Sequence, residues 1–321
     1  MKRNDLLFMI EQAVKAPSGH NTQPWLFRLF ENEDKVELYP NADKELKVVD
    51  TDRRELFISL GCAVENLSLA ASSKGYSLDV SIAEDGVITV QFTFSDTVKE
   101  HALFKQIGER QTNRSVYNGS VLKESLIYSL QEIGKEENVN VYMWLNGSPE
   151  FGVIADYVLR GNEIQMKSKE FKKELSDWIR YNRSHTLQTR DGLSYEAFGA
   201  PDFPRWMSEL IMKSFLNPFM QNKGDKKKIQ SSSHFVLFTT RNDSVVDWIN
   251  LGRTLERFLL ELTSQGIAYA FLNQPCEVKP LSVGMARSLL LEKEYPAILI
   301  RIGYGKKMPY SLRKPIDDVL I

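Results

Sequence analysis

Between residues 4 and 15 the apolar positions Leu6, Leu7, Ile10, Ala13 and Val14 recur at helical spacing, with Asn4 or Asp5 placed to cap the helix and Pro17 just past its end. Apolar runs predict strands at 25–30, 35–39, 76–82 and 87–94, and a long helix from about Glu55 to Lys74 is stopped by Gly75. After the polar stretch 108-GERQTNRSVYNG-119 the pattern begins again. It predicts a helix at 123–134, a strand at 139–145 and helices across about 149–181. From 182 to 233, Gly192, Gly199, Pro201, Pro204 and Pro218 interrupt it repeatedly. A connection this long inside a folded domain reads as a functional lid or a disordered insert, and the apolar stripe Trp206, Met207, Leu210, Ile211 and Phe215 favours the lid. A strand at 234–240, a helix at 244–265 and a strand at 295–305 complete the set.

Two of these elements resemble each other. In 60-LGCAVENLSLAASSKG-75 and 251-LGRTLERFLLELTSQG-266, Leu-Gly opens both, Glu65 matches Glu256, and Gly75 matches Gly266, all in one register. Amphipathic helices share composition for trivial reasons, but several matches in one register favour two copies of one supersecondary unit. A chain that buries two such helices against each other would mimic a two-fold dimer.

Composition narrows the class. The 321 residues carry a formal net charge of -1, with 42% hydrophobic and 26% charged residues, ordinary for a soluble globular protein. No global field recruits nucleic acid or an anionic membrane. The local run 224-GDKKKIQ-230 reads as a solvated loop face. Cys62 and Cys276 stand far apart, outside any zinc or disulfide spacing, and His20, His101, His185 and His234 show no ligand spacing, so no metal is expected. Asp5, Glu11 and Gln12 interrupt the first apolar run too soon for a secretion signal. The expectation is a cytoplasmic protein with no membrane or nucleic-acid partner.

Candidate chemistry gathers in three places. The loop 17-PSGHNTQPW-25 crowds small hydrogen-bonding groups beside a Trp, which suits a flat, polar-edged ligand. Arg110, Thr112 and Arg114 alternate, so in extended backbone they project to one side and could engage phosphate oxygens together. Near the C-terminus, Ser311 and Arg313 repeat the style. Taken alone each is a weak signal, since arginine pairs more often serve surface ion pairs. The Gly-Tyr-Gly at 303–305 precedes no helix, so it is no dinucleotide fingerprint.

Taken together, Arg-x-Thr-x-Arg, the Pro-Ser-x-x-Asn-x-Gln-Pro-Trp loop, GIA before 272-LNQP-275, and a last strand followed by Gly-Tyr-Gly and Arg-x-Pro resemble the FMN-dependent nitroreductase superfamily. The likeness covers nearly the whole chain and is strongest to the fused two-unit, Acg-like subgroup, whose lid 191-DGLSYEAFGAPD-202 resembles. It implies an α+β fold of two fused α/β/α sandwich units with mostly antiparallel sheets: residues 1–107, then 108–321 with a lid at about 182–233. It further implies one FMN per chain, bound by Arg110, Thr112, Arg114 and Arg313, by Pro17, Ser18, Asn21 and Thr22, and by the turn Leu272, Asn273 and Gln274. Ser311 stands where many members carry Lys, which weakens the phosphate contact. His20 is either a pocket residue or a plain loop histidine, and Pro24 and Trp25 anchor the loop in the core. The implied activity is NAD(P)H-dependent, ping-pong reduction of nitroaromatic, quinone or similar small molecules, with the flavin rather than a side chain carrying the chemistry. An FMN-sequestering protein with little turnover is the alternative, and either a pseudo-dimeric monomer or a homodimer fits.

Overall fold

The computed structural model describes residues 2–321; Met1, the first residue of the expected leading unit, lies outside it. In the first unit, α1 (Arg3–Ala13) leads into β1 (Trp25–Phe30) and β2 (Lys35–Pro40), followed by α2 (Arg54–Ser72), β3 (Tyr76–Ile82) and β4 (Ile88–Phe94). The strands form one antiparallel sheet in the order β1-β2-β4-β3. Lys2, with no capping side-chain bond, precedes α1, so neither Asn4 nor Asp5 caps it.

The second unit runs through α3 (Glu124–Gln131), β5 (Val139–Leu145), α4 (Pro149–Lys167) and α5 (Lys169–Trp178). The short parallel strands β6 (Ile179–Arg180) and β7 (Leu193–Ser194) bracket α6 (Arg183–Thr189), and α7 (Arg205–Phe215) and α8 (Pro218–Gln230) follow. The stretch expected to be irregular is therefore largely helical, its Gly and Pro residues falling between short helices. Last come β8 (His234–Thr240), α9 (Val245–Ser264), β9 (Ala268–Phe271), α10 (Gln274–Glu277), α11 (Lys279–Ser288) and β10 (Tyr295–Gly303). Their sheet is antiparallel, in the order β5-β8-β10-β9. The periodicity passed over β9, α10 and α11, which are too short or too mixed to show a period.

Burial follows the alternation of the strands. On β8, Val236 and Phe238 face a core shared with α9 and α2, while Phe235 and Leu237 face α4 and α11. The second sheet thus has helices on both faces. The first is covered on one face only, leaving Ser77, Asp79, Gln91 and Thr93 exposed. The C-terminus returns to this first unit: Phe27 and Leu320 form a parallel bridge on the edge of β1.

The repeat lies at the centre. Almost every side chain of α2 from Leu56 to Ala71 is buried, as a helix packed on all sides requires. Its partner is α9, and the two meet at the matched glycines. A Cβ on Gly61 would stand 2.0 Å from the Ile249 carbonyl oxygen, and one on Gly252 would stand 2.1 Å from that of Ile58. No side chain fits there. Gly252→Ala should destabilise the chain by about 3 kcal/mol, the upper end of ordinary overpacking, read as a lower denaturant midpoint. A cost under about 1 kcal/mol would mean the helices separate easily.

Candidate active site between the two units

A cavity of about 830 Å³ opens between the units, within the roughly 300–1,000 Å³ usual for small-molecule sites. The first unit contributes the loop Pro17–His20 and, from α2, Glu55, Ile58, Ser59 and Cys62; the second contributes Arg114, α4, the turn after β9, and residues of α7 and α8.

The loop is held by its own polar residues. His20, Asn21 and Gln23 all have positive φ (47°, 56° and 56°), a conformation that non-glycine residues adopt only when the surroundings impose it. Ser18 Oγ accepts from the Gln23 amide at 3.0 Å, Asn21 Nδ2 donates to the carbonyls of Gly192 and Leu312, and Gln23 Nε2 donates to that of Arg190. Trp25 is fully buried and anchors the loop as expected. Pro17 and Ser18 reach the cavity, whereas Asn21 and Thr22 do not line it, because Asn21 ties the loop to the lid and the C-terminal tail.

The Arg-x-Thr-x-Arg triplet divides. Arg110 is buried, pairing with Glu256 at 3.0 Å and donating to the Tyr269 hydroxyl and the Lys15 carbonyl, both at 2.6 Å. Thr112 hydrogen-bonds the same Tyr269 hydroxyl. Only Arg114 lines the cavity, and among the described residues it makes no hydrogen bond or ion pair. Burial lowers its pKa. The alternation therefore does not present three side chains to one ligand. Arg313 converges on the same end of α1 as Arg110, donating to the carbonyls of Lys15 and Ala16. Burial and the nearby Arg110 push its guanidinium down to about 9. Ser311 is exposed and away from the cavity wall.

The turn after β9 is fixed by reciprocal bonds with β10. The Leu272 amide donates to the Leu299 carbonyl, and the Leu299 amide to Asn273 Oδ1, both at 3.0 Å. Asn273 and Gln274 line the cavity; Leu272 faces the core beneath. His20 also lines it. Burial, and then Arg114, lowers its pKa to about 4, so the ring is neutral near pH 7.

Several residues at the site carry no sequence signal. Glu55 and Glu277 are half-buried on the cavity wall and hydrogen-bond each other, Asn273 Nδ2 donates to Glu55, and Gln165 Nε2 donates to Glu277. Burial, and then the neighbouring carboxyl, holds Glu55 well above the ordinary range. Close by, burial raises Asp50 to about 7 although it accepts the amides of Glu55 and Leu56 at 2.9 Å. Lys223, Lys227 and Lys228 also line the cavity. The lysine run thus lies within α8 rather than in a loop, with Lys228 paired to Asp225 at 3.2 Å. Of the apolar stripe on α7, Ile211 and Phe215 line the cavity with Met212 though both stay partly open to solvent, and Trp206 and Leu210 are more exposed still.

No protein-family model matches the chain. The Mycobacterium tuberculosis (strain H37Rv) protein Rv3131, provisionally named an NAD(P)H nitroreductase, is 24% identical over 320 residues, covering 96% of this chain and 88% of its own. The protein acg of the same strain, named likewise, is 21% identical over 323 residues, covering 97% and 93%. A crystal structure of the FMN-dependent nitroreductase NfnB from Mycobacterium smegmatis in complex with NADPH aligns with 67% of this chain and 94% of its own, at 12% identity and a TM-score of 0.43. The nitroreductase-superfamily assignment suggested by the motifs is supported by these full-length relatives.

Two expectations follow from the buried charges. Arg110→Ala leaves Glu256 buried without its cation and should cost about 3–5 kcal/mol in the ligand-free protein; a loss below about 1 kcal/mol in denaturant melts would place Arg110 outside the folding core. Separately, Asp50 and Glu55 keep protons in the folded chain that the unfolded chain has already released, so stability should fall as pH rises from about 4.5 through about 7. Glu55→Gln should flatten that slope. Parallel pH profiles for the two proteins would show that Glu55 titrates normally.

Proposed function

We propose that the chain is an FMN-dependent oxidoreductase that uses NAD(P)H to reduce nitroaromatics, quinones or similar small acceptors, donor and acceptor taking turns in one cavity. The observation that carries the reading is Arg114. It is a cation without a partner on the wall of an interfacial cavity, beside the Pro17–His20 loop and the Asn273–Gln274 turn. A cation there suits the ring edge that becomes anionic when a flavin is reduced. Ser18 and the turn would border the ring. When bound, the flavin supplies reversible acceptance of a hydride; the residues around it orient it, limit water and set its charge.

Arg110 and Arg313 bring two guanidiniums to one end of α1 with Glu256 as the nearby carboxylate, and Arg313 Nε is buried without an acceptor. That excess of positive charge supports assigning the phosphate to this pair. Residues 1–107 and 108–321 serve as the two units in this reading, with a lid at about 182–233. Ile211, Met212 and Phe215 on the cavity wall favour a second reading, flavin sequestration with little turnover.

One flavin per chain follows from the broken symmetry of the repeat. In its register Cys62 and Asn66 match Arg253 and Arg257. The small residues leave Glu256 open to Arg110. At Glu65, Arg257 binds both carboxylate oxygens at 2.8 and 2.9 Å and also meets Glu136, filling the equivalent space. Purified protein should release about one FMN per chain on denaturation, and Arg313→Ala should weaken FMN about ten- to a hundredfold, the effect of losing a charge-assisted bond worth roughly 1.5–3 kcal/mol. Protein that stays colourless after incubation with FMN would refute the reading. NAD(P)H oxidation with added quinone separates enzyme from sequestering protein.

A further inference from the structure

One wall of the cavity is unlike the rest. Glu55 at the start of α2 and Glu277 on α10 come from different units, and each is fixed by one amide, Asn273 on Glu55 and Gln165 on Glu277. Both carboxyls line one cavity, and burial, with the two acting on each other, raises both above the ordinary carboxylate range, which favours a proton shared by the pair. Arg54 is the cation beside the pair and partly offsets the two carboxyls. Arg54 donates to the Cys276 carbonyl at 2.8 Å, Asp50 adds a further carboxyl, and His20 on the adjoining loop is neutral. Cys276 is a buried thiol whose pKa is raised by that burial.

Two residues that line the cavity each keep a buried amide oxygen without a hydrogen-bond donor. Asn162 lines the same cavity and is fully buried; its Nδ2 donates to Asn222 and Asp225 at 3.0 Å, but its Oδ1 has no donor. Gln274 Oε1 likewise has none.

We propose that the Glu55–Glu277 pair is the proton donor to the small molecule reduced in this cavity. The proposal rests on the oxidoreductase reading above. A quinone gains two electrons and one proton as a hydride equivalent from the cofactor, plus one proton from the pair, and leaves as the hydroquinone. A nitro group takes the same sum and leaves as nitroso compound and water. The pair is left without its proton and regains one from solvent at the cavity mouth.

The test compares the flavin-loaded wild type with Glu55→Gln and Glu277→Gln. In the oxidised proteins, wild-type-minus-variant infrared difference spectra at pH 7 should show a protonated-carboxyl band, beyond that of Asp50 common to all three, that shifts in D₂O and is lost in each variant. After reduction, rapid mixing with benzoquinone should be slower by on the order of a hundredfold or more in the variants, the usual weight of general acid catalysis. Mixing with ferricyanide, which takes electrons without protons, should change less than about twofold. A merely structural role would slow both oxidants alike. No carboxyl band, equal slowing or no slowing overturns the proposal. If one variant does not fold, the other carries the comparison. Flavin content, read by absorbance beforehand, separates failure of the oxidoreductase reading from failure of this one, because the infrared band is scored without flavin as well.

Discussion

Backbone contact between α2 and α9 at Gly61 and Gly252 is the constraint from which the rest of the arrangement follows. With no Cβ on either helix the axes come close enough for carbonyls of one to touch Cα atoms of the other. Each helix packs on its own unit's sheet, α2 on β2 and β3 and α9 on β5, β8 and β9, and with the two helices back to back the hydrophobic core runs through both units without a break. The cavity sits where this seam reaches the surface, so its walls can draw on both halves of the chain: the Pro17 loop and Glu55 from one, Arg114 and the Asn273 turn from the other.

Charge is distributed along the seam with the same economy. Buried guanidiniums ordinarily need a carboxylate at close range. Glu65 and Glu256 supply one on each side, but the partners differ: Arg253 and Arg257 come from the facing helix itself, whereas Arg110 arrives from a distant loop. The first solution makes a closed structural clamp. The second, built from small residues on α2, leaves room beside it, and Cys62 there lines the cavity.

Much of this was legible in the sequence. Strand alternation and the long helices were, because they are local and strongly periodic, and so was the packing of the two repeated helices, because Gly61 and Gly252 share a register. The loop at Pro17 and the turn at Asn273 were legible because their small polar residues are unusual for their context. The fate of individual side chains was not. Arg110 and Arg114 look equivalent in the sequence, and only the position of Glu256 and Tyr269 in three dimensions turns one inward and leaves the other on the cavity wall. Asn21 reads as a ligand group but meets Gly192 and Leu312, both far away along the chain. Glu55 and Glu277 carry no motif at all, since their significance lies in meeting each other. The lysines of α8 were misread because charge runs look alike on loops and helices.

Joining two such units in one polypeptide also changes what substitution can do. In a two-fold homodimer one codon sets both copies of a seam residue, so nothing can be improved on one side without being imposed on the other. Here Cys62 and Arg253 occupy matched places and are inherited separately. One half was free to keep an opening while its counterpart was sealed, and the seam could become lopsided without losing a partner to dilution, because the second half is always tethered at hand.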